Sequence, residues 1–333
     1  MKTLLVTGGC GFIGSAFLRR FVAAEPGLRF VNLDLMTYAA DAENVAAVEG
    51  LPNYRFVQGD VRDRALMRDL VLGESVDAIV HFAAESHVDR SINDSTAFVS
   101  TNVAGTHALL DAARARPGVR FMLVSTDEVY GSLGENDPAT SEDAPLRPGS
   151  PYAAAKAGAD LLAQSYARTY GLDLRITRCA NNFGPCQYPE KLIPVLVRRA
   201  LAGETLPMYG DGRNIRDWLH VDDHAAAVWA VLTRGVSGRV YNVGADNPRR
   251  NLDIAQRVLD RLGLTRDRIA FVTDRLGHDW RYCVDDARLR AELGWTPQVD
   301  FDAGLNETID WYATHPDWVE RALVRGAATW GRA

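Results

Sequence analysis

Three glycines, Gly8, Gly11 and Gly14, follow directly on the apolar run Thr3-Leu4-Leu5-Val6 and precede a helix-compatible stretch from Ser15 to Ala24. Strand, glycine-rich turn and helix in that order leave few folds open. The glycines permit a tight turn and let the backbone approach a pyrophosphate at a helix N-terminus. The spacing alone is weak; the flanking strand and helix give it meaning. A second apolar run, Phe30-Val31-Asn32-Leu33, ends in Asp34, twenty residues after Gly14. An acid there binds a ribose 2′-hydroxyl and repels a 2′-phosphate, so the expected cofactor is NAD rather than NADP. The plainer use of Asp34 is to cap the segment that follows.

The same rhythm continues. Arg55 to Val61 reads as a third strand, with Asp60 and Val61 at its end, near where an adenine would lie. Ala78 to Phe82 reads as a fourth, and the small Ala83 and Ala84 after it would let a cofactor approach the backbone. His81 sits inside that apolar strand and is expected to be a satisfied core residue, while Glu85 and His87 read as loop residues. Thr96 to Arg116 is expected to be one long helix, and Asp173 to Thr177 a sixth strand. Strands alternating with helices predict a right-handed, doubly wound parallel α/β sheet of Rossmann type. After Arg178 the rhythm changes. Asn181-Asn182-Phe183-Gly184-Pro185 reads as a turn, Ile193 to Ala202 as a helix, and Leu206 to Tyr209 as a strand entering Gly210-Asp211-Gly212. The expected division is residues 1–180 for the cofactor domain, with 217–245 returning to it. Residues 181–216 and 246–333 would form a smaller mixed α/β lobe for the substrate.

The chemistry points to one stretch. The apolar run Arg120 to Val124 empties into Ser125-Thr126-Asp127-Glu128, and Pro151-Tyr152-Ala153-Ala154-Ala155-Lys156 follows a polar loop. In open α/β sheets ligands sit beyond the carboxyl ends of the strands, where Thr126, Asp127 and Glu128 would lie. Tyr152 and Lys156 are four apart on a helix and share a face. A Lys one turn from a Tyr can favour the phenolate; moving a phenol from about 10 to about 7 takes roughly 4 kcal/mol. Adjacent carboxyls suggest one kept protonated and one ionised. An acid beside a base suits elimination of water better than simple proton removal. The bland alternative is a turn cap and a core tyrosine, since a lone Tyr-x-x-x-Lys is common by chance.

Bulk properties narrow the class. At 333 residues the chain exceeds the usual single-core size, and 47% hydrophobic residues suffice for two lobes. A formal net charge of −6 gives no reason to expect nucleic acid. Cys10, Cys179, Cys186 and Cys283 have no metal-ligand spacing, so no metal is expected and free thiols in a reducing compartment are. Met1-Lys2 runs straight into a strand, and no apolar stretch reaches membrane-spanning length, so a cytoplasmic protein is expected.

Taken together, Thr7 to Gly14 with Tyr152 and Lys156 resemble the extended short-chain dehydrogenase/reductase family. Thr126-Asp127-Glu128 is similar to the signature of its nucleoside-diphosphate-glucose 4,6-dehydratases. Ala83 to Ser91, Asn181-Asn182, Pro189 to Pro194, Arg216-Asp217-Trp218 and Gly277-His278-Asp279 resemble the dTDP-glucose 4,6-dehydratase branch, with Phe183 standing where a Tyr is usual. The resemblance spans nearly the whole chain and implies conversion of dTDP-glucose to dTDP-4-keto-6-deoxyglucose and water. It implies that Thr126 hydrogen-bonds the sugar near C4, Tyr152 is the base for the C4 hydroxyl, and Lys156 binds the nicotinamide ribose. Asp127 would be the acid at C6 and Glu128 the base at C5. It assigns NAD to Gly8, Gly11, Phe12, Ile13, Gly14, Asp34, Asp60, Val61, Ala83, Ala84, Thr101 and Asn182, with Tyr152 and Lys156. It assigns the sugar nucleotide to Ser86, Thr126, Asn181, Lys191, Leu192, Pro207, Tyr209, Arg216, Asn251, Arg275 and His278. It also implies a homodimer through a four-helix bundle. The rivals are a nucleotide-sugar 4-epimerase, a 4,6-dehydratase for another nucleoside diphosphate, and a dinucleotide-sensing regulator. The first has no use for an acid and a base after Thr126; the last has no use for Tyr152 and Lys156.

Overall fold

The computed structural model describes residues 1–330. In chain order the strands are β1 (Thr3–Thr7), β2 (Arg29–Asp34), β3 (Tyr54–Gln58), β4 (Ala78–His81), β5 (Arg120–Thr126), β6 (Asp173–Cys179), β7 (Asn181–Phe183), β8 (Leu206–Tyr209), β9 (Ile215–His220), β10 (Val240–Val243), β11 (Pro248–Arg250) and β12 (Ile269–Val272). The helices are α1 (Phe12–Phe21), α2 (Ala46–Glu49), α3 (Arg64–Gly73), α4 (Val88–Asn93), α5 (Thr96–Phe98), α6 (Thr106–Arg114), α7 (Pro151–Tyr170), α8 (Leu192–Leu201), α9 (Val221–Arg234), α10 (Asn251–Arg261), α11 (Ala287–Leu293), α12 (Phe301–Thr314) and α13 (Pro316–Trp330).

The seven-stranded sheet runs β10-β6-β5-β4-β1-β2-β3, and its neighbours pair in parallel. Its inner strands β1, β4 and β5 are almost wholly buried because helices cover both faces, whereas the edge strand β3 is largely exposed. Leu4 and Val6 face one layer with Phe17, Leu18 and Val228. Leu5 faces the other with Met67, Leu109 and Leu110. Strand order reverses beside β1, with β2 on one side and β4 on the other. That crevice is where a ligand fits best in such a sheet. A third core unites Leu196, Ile254, Leu305 and Trp318 from α8, α10, α12 and α13.

The chain leaves the large sheet after Cys179, and segments 217–245 divide between sheets. β9 is central in a three-stranded sheet, antiparallel to β11 and parallel to β7. α9 lies against the core shared with α1, and β10 is the edge of the seven-stranded sheet. β8 and β12 form a parallel pair.

Two local expectations are corrected. Asn181–Phe183 is a strand, β7, rather than a turn. Its identity comes from pairing with β9, whose residues lie more than thirty positions away, and nothing local in Asn-Asn-Phe favours a strand. The helix expected from Thr96 to Arg116 ends at Arg114 and is interrupted by a π-helical segment, Val99–Gly105, between α5 and α6. The Thr106 hydroxyl donates to the Asn102 carbonyl at 2.6 Å. The buried Asn102 amide turns to the loop after β4, accepting from the Glu85 N–H at 2.9 Å and donating to the Glu85 carbonyl at 3.0 Å. π-segments recur at functional sites, and this one carries Thr101 to the cleft described below.

Residues following β2 are held from both ends of the chain. The Asn44 amide donates to the Cys10 carbonyl in the glycine turn at 3.0 Å, and its oxygen accepts from Trp318 Nε1 at 3.0 Å.

Candidate active site

The glycine turn after β1 forms a cradle that side chains would fill. A Cβ on Gly8, where φ is +74°, would lie 2.6 Å from the Ala83 nitrogen, and one on Gly14 would lie 2.2 Å from the Gly8 carbonyl oxygen. Asp34 closes the turn. Its carboxylate accepts from the Cys10 N–H and the Met36 N–H, each at 2.9 Å, and burial raises its pKa. Asp60 pairs with Arg62 at 2.5 Å, which holds its carboxyl below the usual range. These features fit a dinucleotide: a bare backbone cradle for phosphates and carboxylates at the ends of β2 and β3 for sugar and base.

One cleft of about 460 Å³ runs from this cradle to the end of β5. Its wall includes Gly8, Gly11, Phe12, Ile13, Gly14, Asp34, Asp60, Val61, Ala83, Ala84, Thr101 and Asn182, which are the residues expected at the cofactor. It also includes Thr126, Asp127, Glu128, Tyr152 and Lys156. Of the residues expected at the sugar nucleotide, Ser86, Asn181 and Lys191 join Thr126 in the wall.

The reaction end is built by two elements. β5 ends in a 3₁₀ turn, Asp127–Tyr130, where the Thr126 hydroxyl accepts from the Glu128 N–H at 3.3 Å and donates to Asp127 Oδ1 at 3.2 Å. Asp127 Oδ2 is buried with no partner among the described residues. Burial first, and the Glu128 charge second, raise the Asp127 pKa well above the ordinary value. Burial also raises Glu128, but Arg216, Lys191 and Arg275 oppose the rise. The upward push is thus opposed by nearby cations at Glu128 and reinforced by a neighbouring charge at Asp127.

α7 supplies the rest. Ser150 caps its start, accepting from the Ala153 N–H at 3.1 Å, and Pro151 occupies the first turn. The Tyr152 N–H donates to the buried Ser91 hydroxyl at 3.1 Å, which fixes the first turn against α4. Lys156 Nζ donates to the Val124 carbonyl at 2.7 Å, and burial lowers its pKa to about 8. The expected depression of Tyr152 is not produced by these side chains. Burial and the Glu128 charge push the phenol well above its ordinary value, and the Lys156 charge is directed at a β5 carbonyl instead.

The remaining expected residues, Leu192, Pro207, Tyr209, Arg216, Asn251, Arg275 and His278, lie outside this wall in an adjoining group. Leu192 opens α8 beside Lys191, whose Nζ donates to the Ser86 carbonyl at 2.6 Å. Arg275 pairs with Asp89 at 3.1 Å, and the Tyr209 hydroxyl donates to the same carboxylate at 3.3 Å. Tyr209 meets His278 edge-on at 6.1 Å, and His278 pairs with Asp274 at 2.6 Å. Pro207 precedes Tyr209 on β8. Arg216 stacks 4.5 Å from the Tyr282 ring, and the Asn251 N–H donates to the Asn214 carbonyl at 3.0 Å. Arg216 and Arg275 both act on Glu128, so this group is electrically continuous with the reaction end.

His81 is the core residue expected. Because the Thr106 hydroxyl already donates to Asn102, His81 Nε2 carries the hydrogen and donates to Thr106 at 3.0 Å, leaving Nδ1 to accept from Thr7 at 2.7 Å. The sequence reading missed Asn102, Ser91 and His224. His224 bonds the Asn182 side-chain oxygen at 3.0 Å through Nδ1 and so orients a residue of the cleft wall. An amide within an expected helix, three residues before Gly105, was the only local sign of the first; the other two needed the fold.

The family model described as GDP-mannose 4,6 dehydratase matches residues 5–308. A dTDP-glucose 4,6-dehydratase of Xanthomonas campestris pv. campestris (strain B100) is 47% identical over 341 residues, covering 97% of this chain and 96% of that protein. DesIV, a dTDP-glucose 4,6-dehydratase from Streptomyces venezuelae crystallised with NAD bound, superposes with a TM-score of 0.93 at 50% identity, covering 96% of this chain and 99% of that one. A UDP-glucose 4-epimerase of Thermus thermophilus superposes with a TM-score of 0.86 at 29% identity, covering 94% of this chain and 99% of that one. The scaffold is thus shared with epimerases, whereas the nearer likeness is to dehydratases. With the glycine cradle, the Tyr152–Lys156 helix and the Thr126-Asp127-Glu128 turn converging on one cleft, the chain belongs to the GDP-mannose 4,6 dehydratase family of extended short-chain dehydrogenase/reductases.

Proposed function

We propose that this chain is an NAD-dependent dTDP-glucose 4,6-dehydratase. The observation that carries the reading is the pair Asp127 and Glu128: adjacent carboxyls in the cleft that holds Tyr152, both raised by burial, Asp127 further by the Glu128 charge, while Arg216, Lys191 and Arg275 restrain the rise at Glu128. A 4-epimerase needs Tyr152, Lys156 and a dinucleotide, but no such pair.

Bound NAD supplies the acceptor and later the donor of one hydride. Tyr152 takes the proton of the C4 hydroxyl, with Thr126 holding that oxygen; the positive charge of bound NAD, added to that of Lys156, would have to offset the burial and Glu128 charge that otherwise keep the phenol neutral. The C5 hydrogen, now beside a carbonyl, is acidic enough for Glu128 to remove. Asp127 gives its proton to the C6 hydroxyl, which leaves as water. Lys156 fixes the ribose side of the cofactor, and Lys191, Arg216 and Arg275 offer cations suited to a diphosphate. Gly8, Gly11, Gly14, Asp34, Asp60 and Asn182 hold the dinucleotide, and Tyr209, Asn251 and His278 belong to the nucleoside end.

The test is the fate of a label. Deuterium placed at C4 of dTDP-glucose is expected at C6 of the product, with solvent hydrogen at C5 and no net NADH. Label returned to C4 without a 6-deoxy sugar would make the protein an epimerase. Equal specificity constants for dTDP-glucose and UDP-glucose would move it to another branch and leave dehydration intact.

Two finer readings accompany this. The exposed Val99, Leu161 and Tyr170 lie on the helical run 96–114 and on α7, and we read these helices as the dimer surface, four helices across two copies. A monomer mass by light scattering at working concentration would refute it. No helix among the described residues is long and apolar enough to cross a membrane. We read the enzyme as cytoplasmic; fractionation of cells making the untagged protein tests that.

A further inference from the structure

Outside the reacting groups, a cluster closes over the cleft from three loops. Arg90 donates to Glu190 Oε2 at 2.6 Å. The same guanidinium lies 3.6 Å from the centre of the Tyr38 ring. The Tyr38 hydroxyl donates to the other Glu190 oxygen at 3.3 Å. His87 Nε2 stands 4.0 Å from Glu190. These contacts join the loop after β2, the loop and helix after β4, and the segment between β7 and α8.

Each of those segments also lends residues to the cleft wall: Thr37 and Ala39 from the first, Glu85 and Ser86 from the second, Tyr188 and Lys191 from the third. Glu190 is itself in the wall; Arg90 and Tyr38 are not, and they hold Glu190 and its neighbours from outside it. The brace is also shielded, because the Arg90 and Glu190 side chains are 13% and 15% exposed. An exposed ion pair holds loops weakly, whereas a shielded, stacked, charge-assisted one holds them well. Tyr38 in turn meets Tyr188 edge-on at 5.1 Å, and the Tyr188 hydroxyl donates to the Ala322 carbonyl of α13 at 3.0 Å. The loops are therefore tied to one another and to the second lobe.

A dinucleotide lying under several joined loops leaves only when a loop moves, and such motions commonly set release rates. We propose that Arg90, Tyr38 and Glu190 form a clasp that sets how long NAD stays bound, with Arg90 as its keystone and no part in proton transfer. This rests on the NAD reading above. It gives that reading a physical basis for keeping one cofactor through many turnovers, which a hydride borrowed and returned requires.

The experiment compares wild type with Arg90→Ala, Arg90→Lys and Tyr38→Phe. NAD per subunit is measured after gel filtration, NAD dissociation by chase, and turnover of dTDP-glucose with and without added NAD. Arg90→Ala is expected to release NAD about tenfold faster or more, the loss of one shielded cation–π and charge-assisted contact. It should lose turnover on dilution and recover it in excess NAD. Arg90→Lys keeps the charge but not the planar fork, and should fall between. Tyr38→Phe keeps the stacked ring and should stay close to wild type. Wild-type release rates in both Arg90 variants overturn the clasp. So does turnover that excess NAD fails to restore in a folded variant, since Arg90 would then act elsewhere. A wild-type protein that carries no NAD and needs none overturns the clasp and the cofactor reading together.

Discussion

Asp127 and Glu128 follow one another in a single 3₁₀ turn, and the Glu128 charge adds to burial in raising the Asp127 carboxyl well above its ordinary value. Removing one member should therefore disable the pair without disabling oxidation at C4. Asp127→Asn and Glu128→Gln are expected to reduce the cofactor in a single turnover with dTDP-glucose yet form 6-deoxy product at least ~100-fold more slowly. Tyr152→Phe should block the first step instead. Rapid-quench analysis with mass spectrometry separates the cases, and normal 6-deoxy sugar from Glu128→Gln would sink the assignment.

The same relationship predicts a pH effect on stability. Asp127 has a raised pKa when folded and one near 3.9 when unfolded. Its contribution is fully present below about pH 3.9 and is lost as pH rises through the folded value, at up to ~1.4 kcal/mol per pH unit. Asp127→Asn carries no such cost. Its stability relative to wild type should rise with pH across the range where folded Asp127 resists ionisation. A difference that stays flat in denaturant midpoints from pH 4 upward would show that Asp127 is not the buried acid.

Two buried histidines work in the opposite direction. His81 and His224 are both depressed by burial to about 3. Against an unfolded value near 6.5, their stabilisation is present above about pH 6.5 and lost as pH falls toward 3, at roughly 1.4 kcal/mol per pH unit each. His224→Asn should thus close on wild type as pH drops from 7 to 5. Parallel stability curves for the two proteins would refute a neutral buried imidazole.

Asp160 and Arg178 form a nearly inaccessible pair at 2.8 Å, one turn beyond Lys156 on α7. Arg178 also donates to the Tyr130 hydroxyl at 2.8 Å, and Tyr130 to Asn242 at 2.8 Å. Asp160→Ala strands a buried guanidinium and should cost about 3–5 kcal/mol in urea unfolding at neutral pH. Asp160→Leu with Arg178→Met should recover part of it. A cost below about 1 kcal/mol would mean that solvent reaches the pair.

Asp34 holds the glycine turn through Cys10 and Met36 as well as facing the cleft. Asp34→Ala should weaken NAD by about tenfold or more and narrow the preference over NADP. Titration of stripped protein with both cofactors measures this. An unchanged ratio of the two dissociation constants would remove Asp34 from cofactor choice.

Legibility followed locality. β1, the glycine turn and Asp34 were readable because each carries its reason in its own spacing, and so were Tyr152 and Lys156 on one helical face. Pro151 marks the start of α7 in the sequence itself, by its preference for a first helical turn. β7 was not readable, because Asn181 and Asn182 become a strand only through β9. The π-segment depends on Asn102 reaching Glu85, seventeen residues away. The phenol failed for a related reason: helical spacing brings Lys156 alongside Tyr152, but the Val124 carbonyl and the Glu128 charge decide what either residue feels. Resemblance supplied Arg216, Arg275 and His278, whose grouping no local pattern could give.

Asn44 joins the Cys10 carbonyl to the Trp318 indole, 274 residues further along. Sheet pairing among β1, β2 and β4 leaves the Trp318–Asn44 bond unmade, so the side chain that braces the phosphate cradle gains its second partner only when α13 docks. Linkage makes the dependence mutual: whatever free energy α13 lends the turn, a ligand on the turn lends back to α13. Amide protons of residues 318–325 should accordingly exchange more slowly once NAD is added, making a helix of the far lobe a gauge of occupancy in the near one.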